Sequence, residues 1–88
     1  MKLLKIEIKG KVQGVSFRVT AKRRASELGI VGFARNEDDN SVYIEAEGSN
    51  EALDAFTAWC QEGPLGAHVD SVKVSEHQAS GRIGFTIH

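Results

Sequence analysis

Two glycines and an arginine lie close together where a strand pattern gives way to a helix pattern. The stretch reads Gly10-Lys11-Val12-Gln13-Gly14-Val15-Ser16-Phe17-Arg18. Glycine lets the backbone turn so that successive N–H groups point into one hollow, and a helix start adds unpaired N–H donors and a partial positive charge. The stretch therefore predicts a seat for a tetrahedral anion, although its glycine spacing matches neither the P-loop nor the dinucleotide-binding pattern.

Arg18 is the first candidate for direct contact with that anion. An arginine at a helix start is usually surface charge, and there it is slightly unfavourable against the helix dipole. Directly after a loop with two glycines, a cation makes sense if an anion binds, because a guanidinium offers a planar fork of donors for phosphate oxygens. We interpret Arg18 as a ligand of the anion.

Asn36 is the second candidate, at the end of the next predicted strand. An asparagine in that position is often a turn residue, and this alternative stays open. Its amide could instead hold a water molecule and a phosphate oxygen together, because it is both donor and acceptor. Alternation puts Arg35 and Asn36 on opposite faces, so at most one of them shares a face with the site.

Other reactive side chains are interpreted as structural. Ser16 lies in the loop, but no histidine or lysine stands nearby in the sequence to activate it as a nucleophile. Cys60 belongs to an apolar helical stripe and is expected to pack in the core. The three histidines, at positions 68, 77 and 88, have no ligand spacing with one another or with Cys60. The spacing therefore indicates no zinc site.

The apolar pattern places the glycine loop between a strand and a helix. Leu4, Ile6 and Ile8 alternate with mainly charged residues, as in a half-buried strand. After the loop comes a helical stripe formed by Phe17, Ala21, Ala25 and Leu28. Gly29 stands where a C-terminal helix cap is expected.

The remaining elements complete an α+β order. A second strand is predicted from about residue 30 to 36, followed by a polar turn in which Asp39-Asn40 tolerates positive φ, and then a third strand. A second helix begins near Ser49, a capping residue, and stops at Gly63-Pro64. A fourth strand covers residues 69–74, and a short final strand is read from the alternation of Ile83, Phe85 and Ile87. The buried stripe of the second helix is formed by Ala52, Leu53, Phe56, Trp59 and Cys60.

This β-α-β-β-α-β order predicts a ferredoxin-like split β-α-β fold, with an antiparallel sheet and both helices packed on one face. The length of 88 residues favours one domain over residues 1–88. A net charge of −1 disfavours wholesale binding to nucleic acid or an anionic membrane. Without a signal peptide, a membrane span or a second cysteine, the sequence suggests a cytoplasmic protein, with a monomer as the default.

The motifs closely resemble the acylphosphatases. Residues 10–18, the block Ala-x-x-Leu-Gly-Ile-x-Gly-Phe-Ala-Arg-Asn at 25–36 and Asp-Asp-Asn-Ser-Val at 38–42 carry the resemblance, which covers essentially the whole chain. Two departures are visible. Asn40 occupies a turn position where the family commonly has glycine, and Ser16 sits at a position that varies in the family.

The resemblance implies hydrolysis of the carboxyl-phosphate bond of acyl phosphates, to a carboxylate and inorganic phosphate, without metal or cofactor. It implies that Arg18 is catalytic and that Asn36 positions the attacking water. It also implies that a phosphate-binding loop cradles the substrate phosphate, formed by Gln13, Gly14, Val15, Ser16 and Phe17 together with Arg18.

Two alternatives differ in class. The first alternative is a non-catalytic phosphate-binding module, because a similar domain occurs within larger hydrogenase maturation proteins. The sequence has no appended zinc or nucleotide motif, which leads us to expect a free-standing enzyme. The other is an RNA-binding domain of the same fold, which needs aromatic residues on the open sheet face. The predicted outward residues of the central strands include one aromatic and three acids, a poor platform for RNA. They are Lys5, Glu7, Lys9, Tyr43, Glu45 and Glu47.

Overall fold

The helices and strands follow each other in the predicted order. The computed structural model describes residues 1–88. Its elements are β1 Lys2–Lys11, α1 Phe17–Glu27, β2 Val31–Asn36, β3 Val42–Gly48, α2 Asn50–Glu62, β4 His68–Gln78 and β5 Phe85–Ile87. Neither helix has the length and apolar character that a membrane crossing requires.

The five strands form one sheet in the order β4-β1-β3-β2-β5. Neighbours among the first four are antiparallel, but β5 runs parallel to β2, so the prediction of an antiparallel sheet is wrong for this strand. The chain leaves β4 at one end of the sheet, crosses to the opposite edge and enters β5 at that same end. Hydrophobic alternation identifies a strand without indicating its direction, so the sequence pattern could not show this.

The strand register brings the ends of β1 and β2 together. Ile8 of β1 and Asn36 of β2 both pair with Val42, the first residue of β3. Since β1 and β2 flank β3 and run in the same direction, the loop after β1 and the hairpin after β2 leave the sheet at the same end. The two regions that carry the candidate site residues are therefore neighbours.

Both helices cover the face of the sheet on which β1 and β3 place their apolar residues. One core cluster joins Leu4, Ile6 and Ile8 of β1 with residues of both helices. The stripe of α1 is buried at Phe17, Ala21 and Ala25, and that of α2 at Leu53, Phe56 and Cys60. Burial raises the pKa of the Cys60 thiol to about 12, as expected of a cysteine that packs in a core.

Three local predictions at element ends are confirmed. Gly29, just after α1, has φ +72°, and Asn40 in the hairpin turn also has φ +72°. The Ala52 amide donates a hydrogen bond to the Ser49 hydroxyl, which caps α2. These residues set the directions in which the chain leaves α1, turns into β3 and enters α2.

The last two strands differ from their predicted extents. β4 continues to Gln78 because it pairs along the whole of β1, although its last residues are polar and exposed. The final strand is shorter than predicted, because Gly84 has φ +72° and interrupts the extended chain before Phe85. Ile83 lies outside the strand and is 95% exposed, so the prediction that it belongs to the final strand is wrong.

The open face of the sheet also departs from the prediction. Glu47 lies on this face, as the alternation of β3 predicts, but it is 2% exposed, since Ser80 and Gly81 of the β4–β5 connection donate hydrogen bonds to its carboxylate. Phe33 adds a second aromatic ring, 6.0 Å from that of Tyr43 between centroids. That ring is covered, however, because the Arg82 guanidinium lies 4.6 Å from its centroid and Phe33 is 7% exposed.

Candidate active site

A hollow of about 300 Å³ opens at the start of α1. It combines residues of the loop after β1, the first turn of α1 and the end of β2. The lining residues are Val12, Gly14, Ser16, Phe17, Arg18, Val19 and Asn36. The structure thus brings Arg18 and Asn36, which are 18 positions apart in the sequence, to the same cavity.

The main-chain N–H groups of the loop are free of partners within the protein. No hydrogen bond of the chain uses an amide of residues 13–16 as donor, and the first bond of α1 runs from the Thr20 amide to the Ser16 carbonyl at 3.0 Å. Gly14 has φ +75° and Ser16 has φ +61°. Consecutive left-handed and helical residues form the type of concave N–H surface that binds anions.

The first turn of α1 adds to the attraction for negative charge. It contains no acidic residue, so the partial positive charge of the helix start is not compensated by a side chain. Ser16 is the residue that precedes the helix, and its side chain makes no capping hydrogen bond. A ligand anion could therefore take the place that a capping carboxylate or hydroxyl occupies in many other helices.

Arg18 is held by the far end of the chain. Its Nη1 donates a hydrogen bond of 2.6 Å to the main-chain oxygen of His88. The His88 amide in turn donates to the Ala34 carbonyl of β2 at 2.9 Å. The guanidinium is thus anchored beside the strand that ends in Asn36, and its other N–H groups make no hydrogen bond within the chain.

Two residues of the predicted phosphate-binding loop do not line the hollow. The Gln13 side chain points to the β2–β3 hairpin, where its Nε2 donates to the Glu37 and Ser41 carbonyls at 2.9 Å each. Val15 is partly buried against the hydrophobic core. Their backbone groups belong to the loop, but their side chains support it rather than line the cavity.

The hairpin beside the hollow carries an acid that stays ionised. Hydrogen bonds from the Ser41 hydroxyl, at 2.5 Å, and from the Ser41 amide, at 3.0 Å, lower the pKa of Asp39 below its ordinary value. Since these groups stabilise the carboxylate form, Asp39 is poorly suited to donate a proton near neutral pH.

Sequence reasoning did not identify three contributors to the site. Val12 and Val19 line the hollow with apolar surface. Val12 stands inside the stretch from Gly10 to Arg18 that indicated the loop, and Val19 directly follows it. The third is the main-chain oxygen of His88. No local pattern could reveal it, because the contact joins residues 70 positions apart.

The fold and the hollow define a class: a ferredoxin-like α+β protein with a candidate anion site between a strand and a helix. Sequence comparison is more specific. The family model described as Acylphosphatase matches residues 4–87. An acylphosphatase of Thermotoga petrophila is 46% identical over 87 residues, which are 99% of this chain and 97% of the relative. The chain belongs to the acylphosphatase family and is accordingly a hydrolase of acyl phosphates.

Solved structures agree with this assignment. The crystal structure of acylphosphatase from Bacillus subtilis has a TM-score of 0.98 and 32% sequence identity, and the match covers 100% of this chain and 99% of that one. A structure of full-length HypF in a phosphate- and nucleotide-bound form has a TM-score of 0.88 and 28% identity. That match covers 99% of this chain but 12% of HypF, so a similar domain also occurs within a much longer protein.

Proposed function

We propose that Arg18 and the amides of residues 13–17 bind the phosphoryl group of an acyl phosphate, and that Asn36 positions the water that attacks it. The observation that carries this proposal is the coincidence of free main-chain N–H groups and a guanidinium at one hollow. Asn36 lines the same hollow from a different element, which places its amide within the cavity but outside the loop that would hold the phosphoryl group.

The chemistry of the substrate explains why so few groups suffice. An acyl phosphate expels a carboxylate, and the conjugate acid of such a group has a pKa of about 4, like an Asp or Glu side chain. A leaving group of this kind departs without being protonated, so the enzyme needs no general acid. Phosphoryl transfer depends mainly on positioning and on stabilisation of the charged oxygens, which Arg18 and the loop amides would supply.

The proton of the attacking water must also be accepted. Apart from the Arg18 guanidinium, the polar groups at the hollow are the Asn36 amide, the Ser16 hydroxyl and main-chain N–H groups, none of them a strong base. We therefore infer that the oxygens of the phosphoryl group accept this proton. On this basis the reaction requires neither a metal ion nor a cofactor.

Further features support the proposed setting of the enzyme. The hollow is assembled from the loop after β1, the first turn of α1 and the end of β2, so a single domain, residues 1–88, supplies all the proposed site residues, and we take the monomer as the default. The single cysteine is free and buried, which suits the reducing cytoplasm. The covered ring of Phe33 and the net charge of −1 argue against RNA as a partner.

Phosphate release from acetyl phosphate and from an aryl acyl phosphate tests the proposal. Arg18→Ala should abolish turnover and weaken inhibition by inorganic phosphate while the far-UV circular dichroism stays that of a folded protein. Arg18→Lys should not restore turnover, because an ammonium lacks the planar fork of a guanidinium. Arg23→Ala, on the exposed side of α1, is the matched control and should retain wild-type rates.

Each alternative has its own outcome in this experiment. If Arg18→Lys turned over acyl phosphates within a few-fold of the wild-type rate, the planar guanidinium would not be needed to hold two phosphate oxygens. A wild-type protein that binds inorganic phosphate but hydrolyses neither substrate would be a phosphate-binding module instead of an enzyme.

A further inference from the structure

The Gln13 side chain turns away from the hollow and binds the neighbouring hairpin. Its Nε2 lies 2.9 Å from the Glu37 carbonyl oxygen and 2.9 Å from the Ser41 carbonyl oxygen. Both partners are acceptors, so the terminal amide must present its nitrogen to them, and it uses both of its N–H groups. Gln13 is partly buried, so these bonds are shielded from competition by solvent.

The two carbonyls are also the groups that close the hairpin. The Glu37 amide donates to the Ser41 carbonyl at 2.9 Å, and the Asn40 amide donates to the Glu37 carbonyl at 3.2 Å. Glu37 directly follows Asn36 in the chain. Gln13 therefore holds the neck of the hairpin one residue beyond the side chain that we assign to the attacking water.

No other hydrogen bond joins residues 12–16 of the loop to residues 37–41 of the hairpin. The loop follows β1 and the hairpin follows β2, and these strands do not pair with each other because β3 lies between them. The β3 ladders hold the two strand ends. Beyond the strands, the loop and the hairpin are held together by packing and by the two bonds of the Gln13 side chain.

We propose that Gln13 is a positioning residue that fixes Asn36 relative to the phosphate seat. The inference rests on the proposed roles of the loop and of Asn36. Without the two bonds, the phosphoryl group would still meet the loop amides and Arg18, but the water held by Asn36 would no longer lie in line with the bond that breaks. Displacements of about 1 Å can reduce a rate by on the order of 100-fold.

Gln13→Met tests this idea, because methionine has a similar length and no donor. We expect kcat for acetyl phosphate to fall by about 10-fold to 100-fold, while the inhibition constant of inorganic phosphate changes by less than about 3-fold. Gln13→Asn is a second variant that keeps the amide but lacks one methylene, so it should not reach the hairpin and should lose kcat similarly. Gln61→Met, on the exposed surface of α2, is the matched control and should keep wild-type kcat.

The Asn36→Ala background separates positioning from a general loss of structure. If Gln13 acts through Asn36, Gln13→Met should reduce kcat by less than about 3-fold in a protein that already lacks the Asn36 amide. A purely structural role would give the same loss in both backgrounds. Double-mutant kinetics at saturating acetyl phosphate therefore give a direct readout.

Three results would overturn the inference: unchanged kcat in both Gln13 variants, a rise of the phosphate inhibition constant that matches the fall in kcat, or equal losses with and without Asn36. A wild-type protein without turnover would instead reject the proposed function, and the inference would fall with it. The two failures are therefore told apart by the wild-type measurement.

Discussion

The hydrogen bond from Arg18 to the main-chain oxygen of His88 restricts how the guanidinium meets a ligand. The bond is short, 2.6 Å, and uses Nη1. A flexible arginine would lose rotamer freedom on binding an anion, whereas this one has already lost part of it. The N–H groups of Nη2 and Nε keep the planar geometry that suits two phosphate oxygens. The anchor thus prepares the side chain for binding before the substrate arrives.

Asn36→Ala should reduce kcat by on the order of 100-fold or more, the scale observed when one positioned polar donor is removed from a site. Affinity for inorganic phosphate should change little, because the loop amides and Arg18 remain. Steady-state kinetics with phosphate as a competitive inhibitor measure both quantities. Arg23→Ala is a suitable control, since Arg23 is exposed on α1 and does not line the hollow. A collapse of phosphate binding in Asn36→Ala would make Asn36 an anchor for phosphate.

The candidate site could be predicted where its residues follow each other in the sequence. Glycines before a helical stripe pointed to the loop, and Arg18 followed from its place directly after them. The bonds of Gln13 to the hairpin span 24 and 28 positions, and that of Arg18 to His88 spans 70. Such contacts depend on strand order, and β5 lies beside β2 because of a crossover that alternation does not encode.

At the scale of elements, the end of α2 supports the beginning of α1. Gly63 ends α2 with φ +70° and ψ −174°, a conformation that is essentially restricted to glycine. A Cβ at this position would lie 2.7 Å from Cε2 of Phe17, the first residue of α1. The Phe17 ring also packs against Trp59 of α2, with 5.2 Å between the ring centroids. The exit of one helix thus determines where the first turn of the other lies at the hollow.

Gly63→Ala should therefore destabilise the protein by about 3 kcal/mol, the sum of backbone strain and the displacement of Phe17. Gly29→Ala is the matched control: Gly29 also follows a helix with φ +72°, but a Cβ there meets nothing within 4 Å. It should cost about 1 kcal/mol, the strain alone. Urea denaturation of both variants measures the difference. Equal losses would show that Phe17 yields to the added methyl group without cost.

The extents of the strands were predictable only where one face is buried. β1 and β3 alternate because the helices cover one side, so their patterns matched the structure. β4 is an edge strand whose residues are mostly exposed, and hydrogen bonds to β1 extend it without an apolar pattern. The end of a strand of this kind follows from its partner and not from its own side chains.

At the scale of the whole molecule, Glu47 connects β3, at the centre of the sheet, to the segment between β4 and β5. Ser80 donates from its amide at 2.8 Å and from its hydroxyl at 2.6 Å, and the Gly81 amide donates at 3.0 Å. This segment leads to β5 and so to the oxygen that anchors Arg18. Burial on its own would raise the pKa of Glu47, but the hydrogen bonds to its carboxylate outweigh that effect and lower it.

This carboxylate should make stability depend on pH. Because its pKa is lower in the folded chain than the ordinary value of 4.5, the stabilisation is complete above that value and is lost as the pH falls through the lowered pKa. Glu47→Gln should cost about 2 kcal/mol at pH 7, and the difference from wild type should shrink toward pH 3. Asp39, whose pKa is also lowered, contributes to both proteins equally and cancels in the comparison.

Urea denaturation of wild type and Glu47→Gln between pH 3 and pH 7 measures this effect. Glu62→Gln, at the exposed end of α2, is the control and should stay within about 0.5 kcal/mol of wild type at pH 7. A difference between wild type and Glu47→Gln that is constant with pH would mean that the variant loses packing rather than a charge. A variant as stable as wild type at pH 7 would mean that a neutral amide holds Ser80 and Gly81 as well as the carboxylate does. The β4–β5 connection would then be held by hydrogen-bond geometry and not by the charge of Glu47. In that case ionisation of Glu47 would not affect the position of the His88 oxygen that binds Arg18.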